Sequence, residues 1–218
     1  MGARVAGAGT NRITIEGVES LKGAVHQISP DYVDVGTFAI MAAVTKGKIT
    51  IEGINQDHLK IILLYFQRMG ISCQAKDGSL MIGPSKLVSP AGKIQTRPWP
   101  GFPTDLMSPL IVLATQANGT TLCHDWMYET RMFFVDKLVT MGANITICDP
   151  HRVLVYGPTK LKGKILDSPD IRAGMALVAA ALCASGESVL NNIEMIERGY
   201  EKIEERLKSL GANIKRID

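Results

Sequence analysis

The sequence predicts an α/β fold built from three repeats of strand, helix, strand, helix and hairpin. A pair made of a large apolar residue and glycine recurs at spacings of 68, 72 and 69 residues, at Met1-Gly2, Met69-Gly70, Met141-Gly142 and Leu210-Gly211. A period this regular is typical of repeated supersecondary units. Each of the first three pairs is followed by a candidate hairpin, and three long segments between the pairs are apolar on nearly every side.

The three hairpins are predicted at residues 4–15, 72–82 and 145–156. Their turns fall at residues 9–11, 76–78 and 149–151, where Asp77-Gly78 is a strong turn signal and Asp149-Pro150 a weaker one. After each of the last two hairpins we expect a glycine-rich crossover strand, at residues 83–87 and 157–161.

Two kinds of helix alternate in the pattern. Helices that are apolar all round must be surrounded by protein, and they are predicted at residues 33–45, 104–117 and 170–184. Each stops near a glycine, and a short strand follows, as at residues 48–52 and 120–124. Amphipathic helices with one wet face are predicted at residues 57–69, 130–141 and 199–210. The three helices that are apolar all round should form the core.

The repeat also sets the predicted domain boundaries. The chain has three strand-and-helix bodies but four apolar-glycine pairs. Residues 1–28 are therefore interpreted as the tail, hairpin and crossover, of a preceding domain that is absent. Residues 29–218 are interpreted as one domain of three repeats, and the chain as a fragment of a longer protein.

Composition excludes several classes of function. The net charge of +3 is spread over 24 basic and 21 acidic residues, which is too weak and too mixed to predict nucleic-acid binding. No apolar run reaches roughly 18 residues, so neither membrane insertion nor secretion is predicted. The four cysteines have no C-x-x-C spacing and the four histidines no metal-ligand spacing. A reducing cytoplasm fits best, and no metal or cofactor is predicted.

The loop at residues 97–105 is the most unusual stretch of the chain. It holds three prolines and a glycine, which exclude regular structure, and it leads directly into a buried helix. Asp105 is thereby delivered to a helix N-terminus, where it would either cap the helix or accept a proton at a site. Position alone favours the cap.

Charged residues at other predicted helix starts change that balance. Asp34 and Asp170 occupy the position of Asp105 in the other two repeats, and a cap would explain all three aspartates. Arg172, however, lies in a first helical turn, where a cation opposes the helix dipole. It is therefore a candidate for holding an anionic ligand, with an ion pair to a neighbouring carboxylate as the rival interpretation.

Two further arginines, Arg131 and Arg198, begin the predicted second helices of two successive repeats. Pairing with Glu129 and Glu197 would explain them. If they instead converge with Arg172 on Asp105, the result is a clamp for phosphate and carboxylate beside a base.

Four motifs taken together closely resemble the enolpyruvyl transferases. They are Pro-Gly-Phe-Pro-Thr-Asp at 100–105, Tyr-Glu-Thr-Arg at 128–131, Asp-Ile-Arg-Ala at 170–173 and the stretch 196–204. Pro30-Asp31 and residues 35–38 support the resemblance, which runs along the whole chain but covers about the C-terminal half of the family's length. The family fold, an inside-out α/β barrel-like domain with helices inside and sheets outside, agrees with the repeat.

The resemblance implies transfer of the enolpyruvyl group of phosphoenolpyruvate to the 3′-hydroxyl of UDP-N-acetylglucosamine, the first committed step of peptidoglycan synthesis. Asp105 would contact that hydroxyl and take its proton, and the backbone of Met127 would contact the nucleotide sugar. Arg172 and Arg198 would hold phosphoenolpyruvate. Arg131 and Asp170 would be nearby site residues.

The resemblance also implies a partner, because the family's N-terminal lysine and its mobile acid loop belong to the missing N-terminal half. The chain alone is therefore expected to be inactive. Two alternatives stay open: a fragment of the shikimate-pathway enolpyruvyl transferase, and a non-catalytic binding or assembly module. Glu129-Thr130-Arg131 and residues 198–200 favour the nucleotide-sugar branch over the shikimate one.

Overall fold

The computed structural model describes residues 1–217, which contain eleven strands and seven helices. The strands are β1 (Arg4–Ala6), β2 (Thr14–Glu16), β3 (Ile49–Glu52), β4 (Ser72–Lys76), β5 (Ser79–Gly83), β6 (Lys93–Gln95), β7 (Gly119–His124), β8 (Asn144–Asp149), β9 (Arg152–Gly157), β10 (Ile165–Asp167) and β11 (Val189–Asn191). The helices are α1 (Tyr32–Val44), α2 (Gln56–Arg68), α3 (Met107–Gln116), α4 (Val135–Thr140), α5 (Ile171–Cys183), α6 (Glu194–Glu197) and α7 (Ile203–Ser209). Among these residues no helix has the length and apolar character needed to cross a membrane.

The strands form four small sheets that follow the predicted repeat. One sheet has the order β3-β5-β4, the next β6-β7-β9-β8, and the third β10-β11, while β1 and β2 form a separate hairpin. The three hairpins β1-β2, β4-β5 and β8-β9 are antiparallel and turn where the sequence predicts. Side chains on alternate residues of β5 and β9 are buried, so the sheets that contain these two strands each present one face to the helices.

Helices α1, α3 and α5 form the core and pack against one another. Most residues of the three helices are buried, as their all-round apolar character predicts. The close approach of α1 to its neighbour requires a glycine, because a Cβ atom on Gly36 would lie 2.6 Å from Leu106 Cδ1. Helices inside and sheets outside confirm the predicted α/β architecture.

Two of the three predicted amphipathic helices are shorter than expected. Helix α2 matches its prediction, but the helix predicted at 130–141 begins only at Val135. Before it, Arg131 and Phe133 donate backbone hydrogen bonds three residues back, so the chain runs through successive turns. The helix predicted at 199–210 begins only at Ile203, as α7, because Lys202 before it adopts a left-handed φ of 46°. That backbone conformation cannot belong to an α-helix. The short helix α6 ends at Glu197, before the predicted range.

The predicted crossover strands at 83–87 and 157–161 are not strands. Each connection makes one isolated bridge further along, Val88 with Asn118 and Lys162 with Ser185. Regular parallel pairing begins later, between β6 and β7 and between β10 and β11.

Residues 1–31 are exposed along their whole length. Their apolar side chains include Ile15, Val25 and Ile28, which are 70%, 105% and 85% exposed. Several exposed apolar side chains along one segment are typical of a surface that contacts another part of a protein. The assignment of residues 1–28 to a separate domain stays a prediction.

Candidate active site around Asp105

The proline-rich loop places Asp105 in a single turn of 3₁₀ helix, Thr104–Leu106, just before α3. The cap interpretation of Asp105 is wrong, because Pro103 is the N-cap residue and no side chain caps this turn. Arginine side chains hold the carboxylate instead. Arg131 Nη2 donates to Oδ1 at 3.3 Å, while Arg172 donates to Oδ2 from Nε at 3.0 Å and approaches it with Nη2 at 2.9 Å.

The aspartates at the equivalent positions of the other repeats have different partners. Asp170 is a true N-cap and accepts from two backbone N–H groups of α5. In α1 the cap is Asp31, one turn earlier than the sequence predicts, and Asp34 accepts a forked hydrogen bond from Arg206 at 2.7 and 3.3 Å. The shared cap interpretation therefore holds for Asp170 and fails for Asp34 and Asp105.

Arg172 extends from the first turn of α5 and connects Asp105 to the core. Its Nη1 donates to the hydroxyl of Tyr200 at 3.2 Å, and that hydroxyl lies 3.1 Å from Thr37 Oγ1. Burial alone would lower the pKa of the guanidinium, but Tyr200 and Asp105 outweigh it and raise this pKa above its ordinary value. Burial also raises the pKa of Tyr200. Arg172 is therefore a fixed cation with a neutral phenol beside it.

Arg131 is the most buried cation of the cluster, with 6% of its side chain exposed. Besides Asp105, its guanidinium lies 3.7 Å from Asp125 Oδ2 and 4.0 Å from Asp170 Oδ1. Its Cζ atom lies 4.5 Å from the centre of the Tyr128 ring. A buried cation needs such compensation, and three carboxylates supply it here.

The predicted placement of two arginines at helix starts is wrong. Arg131 lies in the turns before α4, and Arg198 follows α6 at its C-terminal end, where a cation is electrostatically favourable. The expected pairing with neighbouring glutamates is also absent from the described residues, since Arg131 contacts aspartates and Glu197 pairs with Arg216.

Two candidate residues stay apart from the Asp105 cluster. Arg198 is exposed and makes no ion pair within the described residues. Its neighbour Gly199 lies close to Arg172, since a Cβ atom added to Gly199 would be 4.0 Å from Arg172 Nη1. Met127 is 40% exposed, and its N–H donates to Asp125 Oδ1 at 2.9 Å. The structure thus brings four of the six candidates together: Asp105, Arg131, Asp170 and Arg172.

Asp125 is the site residue that sequence reasoning missed. It directly follows β7 and is fully buried. Its Oδ1 accepts from Thr96 Oγ1 at 2.9 Å and from the N–H groups of Met127 and Tyr128 at 2.9 and 3.3 Å, and Thr104 Oγ1 donates to Oδ2. The sequence offered only a weak signal, a single carboxylate directly after a strand of mixed polarity. A charge buried to this depth needs several partners, and those partners come from other segments.

An aromatic cluster borders the site on the loop side. The ring of Tyr32 lies 5.4 Å from that of Trp99, which also lies 5.4 Å from the ring of His58. Burial raises the pKa of Tyr32, and the charges of Asp105 and Asp31 raise it further. The cluster is therefore within electrostatic range of Asp105, and Trp99 presents 56% of its surface to solvent.

The arrangement is suited to proton transfer and anion binding. Carboxylates and guanidiniums alternate in it, and the part of the chain that the structure describes has no group of three His, Cys, Asp or Glu residues placed to hold a metal ion. The side chain of Asp105 is 36% exposed, so a hydroxyl can approach it. Arg172 beside it offers a fork that matches carboxylate or phosphate.

Curated relatives of this chain are UDP-N-acetylglucosamine 1-carboxyvinyltransferases. The protein of that name from Treponema denticola is 48% identical over 222 residues, covering 98% of this chain and 52% of the relative. The one from Bradyrhizobium diazoefficiens is 47% identical over 224 residues, covering 100% of this chain and 52% of the relative. The chain thus spans about half the length of the curated relatives it matches.

Solved structures and a family model agree with this likeness. The enolpyruvyl transferase NikO from Streptomyces tendae superposes with a TM-score of 0.85 at 28% identity, covering 98% of this chain and 51% of that one. An EPSP synthase from Acinetobacter baumannii, 21% identical with a TM-score of 0.78, shows the same fold over 100% of this chain and 53% of that one. The model of EPSP synthase (3-phosphoshikimate 1-carboxyvinyltransferase) matches residues 1–207. Since that match spans nearly the whole chain, the chain belongs to the EPSP synthase family of enolpyruvyl transferases.

Proposed function

We propose that this chain forms the C-terminal half of a UDP-N-acetylglucosamine 1-carboxyvinyltransferase. In this proposal the enzyme transfers the enolpyruvyl group of phosphoenolpyruvate to the 3′-hydroxyl of UDP-N-acetylglucosamine in cytoplasmic peptidoglycan synthesis. The name shared by relatives at 44–48% identity supports the acceptor and the transferred group. The observation that carries the proposal is the Asp105 carboxylate, which is accessible to a hydroxyl and held by two guanidiniums.

The proposed reaction is an addition followed by an elimination. The sugar oxygen bonds to C2 of phosphoenolpyruvate, its proton passes to Asp105, and a proton from an acid outside this chain is added to C3. The bond from C2 to the phosphate oxygen then breaks, C3 returns a proton to the conjugate base of that acid, and phosphate departs. The proton taken by Asp105 is released to the departing phosphate or to solvent. Arg172 is placed to exchange Asp105 for the substrate's carboxylate or phosphate, and this exchange would release Oδ2 to accept the hydroxyl proton.

Asp105→Asn tests the proton acceptor. The assay measures phosphate release from this chain after it is combined with the unmatched part of the Treponema denticola relative. Turnover should fall by about 100-fold or more, because an amide cannot take the proton. Asp34→Asn is the matched control, since Asp34 has the same place in its repeat but pairs with Arg206. Unchanged turnover of Asp105→Asn together with a lowered melting temperature would leave Asp105 a purely structural role.

The anion clamp is tested by substitutions that keep the charge. Arg172→Lys and Arg198→Lys each lose the fork that matches a carboxylate or phosphate. Both should raise the KM for phosphoenolpyruvate. We expect the effect at Arg198 because its exposed side chain makes no ion pair within residues 1–217. An unaltered KM in both variants would contradict the clamp.

The acceptor substrate separates the two branches of the family. The matching family model carries the shikimate name, whereas the relatives of known name at 44–48% identity use the nucleotide-sugar name. The combined halves should therefore use UDP-N-acetylglucosamine and ignore 3-phosphoshikimate. The reverse result would assign the chain to the shikimate branch, and no transfer to either acceptor would favour a binding or assembly module.

A gap in the third sheet supports a contact with the missing half. In the second repeat, β9 lies between β7 and β8. In the third repeat, β11 is the counterpart of β7, and residues 212–217 follow Gly211 as β8 follows Gly142. Among the described residues, however, β11 pairs only with β10. A groove of about 910 Å³, lined by Val189, Leu190 and residues 212–217, lies between them.

We propose that a strand from the missing half occupies this groove and pairs with β11. Hydrogen exchange should then slow at residues 189–191 when the unmatched part of the Treponema denticola relative is added. Exchange at β7, whose edges already pair with β6 and β9, is the internal control. Association without protection at residues 189–191 would place the contact elsewhere.

A further inference from the structure

We infer that Asp125 is a positioning residue, which acts through Thr104 and Arg131 to hold Asp105 in its productive orientation. Asp105 and Arg131 lie on separate segments, the loop before α3 and the turns before α4. Asp125 is bonded to both segments, through Thr104 next to Asp105 and through the N–H group of Met127. The part of this inference that concerns turnover rests on the proposed function.

The first connection fixes the segment that carries Asp105. Thr104 is the residue before Asp105, and its hydroxyl donates to Asp125 Oδ2. Thr96, directly before the first residue of the same loop, donates to Oδ1 at 2.9 Å. Both ends of the proline-rich loop are thus tied to one buried carboxylate, which limits how far the backbone at Asp105 can move.

The second connection fixes the segment that carries Arg131. The N–H groups of Met127 and Tyr128 donate to Oδ1, and Arg131 Nε lies 3.7 Å from Oδ2. This Nε–H is buried and makes no hydrogen bond, so the negative charge of Asp125 faces it without a nearer partner. With Nε directed toward Asp125, the Nη2 end of the same guanidinium points to Asp105 Oδ1 at 3.3 Å.

A carboxylate with only a structural role would be expected to accept hydrogen bonds from the backbone N–H groups of its own turn. Asp149 is such a residue: its Oδ1 accepts the N–H of His151 two residues on, as Asp125 accepts that of Met127, and its other partner is Arg152. Asp149 has no contact with Thr104 or Arg131 within the described residues. The additional bonds of Asp125 lie on the two segments that form the Asp105 cluster, and this difference motivates the inference.

The first test uses NMR on the chain alone and needs no activity. In Asp125→Asn, the Arg131 Nε–H resonance should shift or broaden, and the amides of Met127 and Tyr128 should exchange at least about 10-fold faster. Asp149→Asn should change neither. An unmoved Nε–H resonance in Asp125→Asn, or equal changes in the two variants, would overturn the inference.

The second test measures turnover of the chain combined with the unmatched part of the Treponema denticola relative, normalised to folded protein. Thr104→Val removes the hydroxyl and should lower kcat about 10-fold or more, whereas Thr104→Ser keeps it and should stay near the parent. These variants keep the test decisive if Asp125→Asn does not fold. Equal turnover in both would refute the role of Thr104.

A double-mutant cycle then shows whether Asp125 acts through Arg131. Asp125→Asn should lower kcat much less in an Arg131→Lys background than in the parent, because the orientation that it supports is already lost. Additive losses would refute coupling between the two residues. If the parent combination itself transfers no enolpyruvyl group, the proposed function fails, and the NMR comparison still decides the role of Asp125.

Discussion

The three arginines of the candidate site should differ sharply in how much they stabilise the fold. Replacing each by Met keeps most of the apolar stem and removes the charge. The side chains of Arg131 and Arg172 are 6% and 21% exposed, and Arg198 is exposed without an ion pair in the described part of the chain. The order of destabilisation should therefore be Arg131→Met, then Arg172→Met, then Arg198→Met.

The expected loss of stability in Arg131→Met follows from the carboxylates around Arg131. Unit charges about 4 Å apart interact by about 4 kcal/mol at an effective dielectric constant of about 20. Asp125, 3.7 Å away and fully buried, would lose this interaction but keep its four hydrogen-bond donors. Asp105 would keep Arg172. We therefore expect a loss of about 3 kcal/mol, at the lower end for a broken buried pair.

The other two substitutions should cost less. Arg172→Met removes the bonds to Asp105 and Tyr200 at a partly hydrated position, for which about 1–2 kcal/mol is expected. Arg198→Met should stay within about 0.5 kcal/mol. For a chain of this size, 1 kcal/mol corresponds to about 2–4 °C in melting temperature.

Urea unfolding and thermal melts of the three variants measure these differences. The expected drop for Arg131→Met is about 6–12 °C. A melting temperature of Arg131→Met within about 2 °C of the parent would show that the buried ion cluster does not stabilise the fold. Equal losses for Arg131→Met and Arg198→Met would show that burial is not the deciding factor.

Two further predictions concern burial elsewhere in the fold. Burial raises the pKa of Cys123 to about 12 from its ordinary 9.0, so the thiolate forms more readily in the unfolded chain. The contribution of Cys123 to stability should be constant below pH 9 and be lost as the pH rises toward 12, so Cys123→Ala should have a flatter profile in this range. Iodoacetamide should label the exposed Cys148 before the buried Cys123. Gly174→Ala should lower the free energy of unfolding by about 1–3 kcal/mol, because the new Cβ atom would lie 2.2 Å from Ser168 Oγ. Gly23→Ala is the control: Gly23 has open space around it, so urea unfolding should be unchanged.

Local signals were sufficient to predict the architecture. The hairpin turn at Asp77-Gly78 has left-handed φ values of 50° and 73°, which is the conformation that this pair favours. The core helices were predictable because an all-round apolar segment has no stable alternative to burial. Neither signal depends on distant contacts, so both can be read from a short window.

The helix errors have tertiary causes. The segment before α4 has ordinary helical propensity, but Arg131 must reach three aspartates, and the chain there forms turns. Interaction with distant residues overrides a propensity of a few tenths of a kcal/mol per residue. The break at Lys202 has no comparable signal in the sequence.

The site was predictable as a set of residues but not as a set of contacts. Asp105 and Arg172 are 67 residues apart, and each was found from its unusual position at a helix start. That they bond to each other depends on how α3 and α5 pack. Asp125 was missed because its importance comes entirely from four donors on other residues, and a single aspartate after a strand is common.

The repeat also explains why only one of its three aspartates is suited to chemistry. Asp170 is satisfied by the N–H groups of its own helix, and Asp34 by one arginine, Arg206. Asp105 makes no cap bond, and its two oxygens are held by Arg131 of its own repeat and Arg172 of the next repeat. When an anionic substrate binds one of the two guanidiniums, a carboxylate held only by guanidiniums can accept a hydrogen bond from a hydroxyl in its place. A carboxylate that caps a helix, or one that forms a closed pair with a single arginine, offers no such exchange. The threefold scaffold therefore supplies three equivalent positions. In our proposal the aspartate of the middle repeat is the reactive one, because Arg131 from its own repeat and Arg172 from the next converge on it.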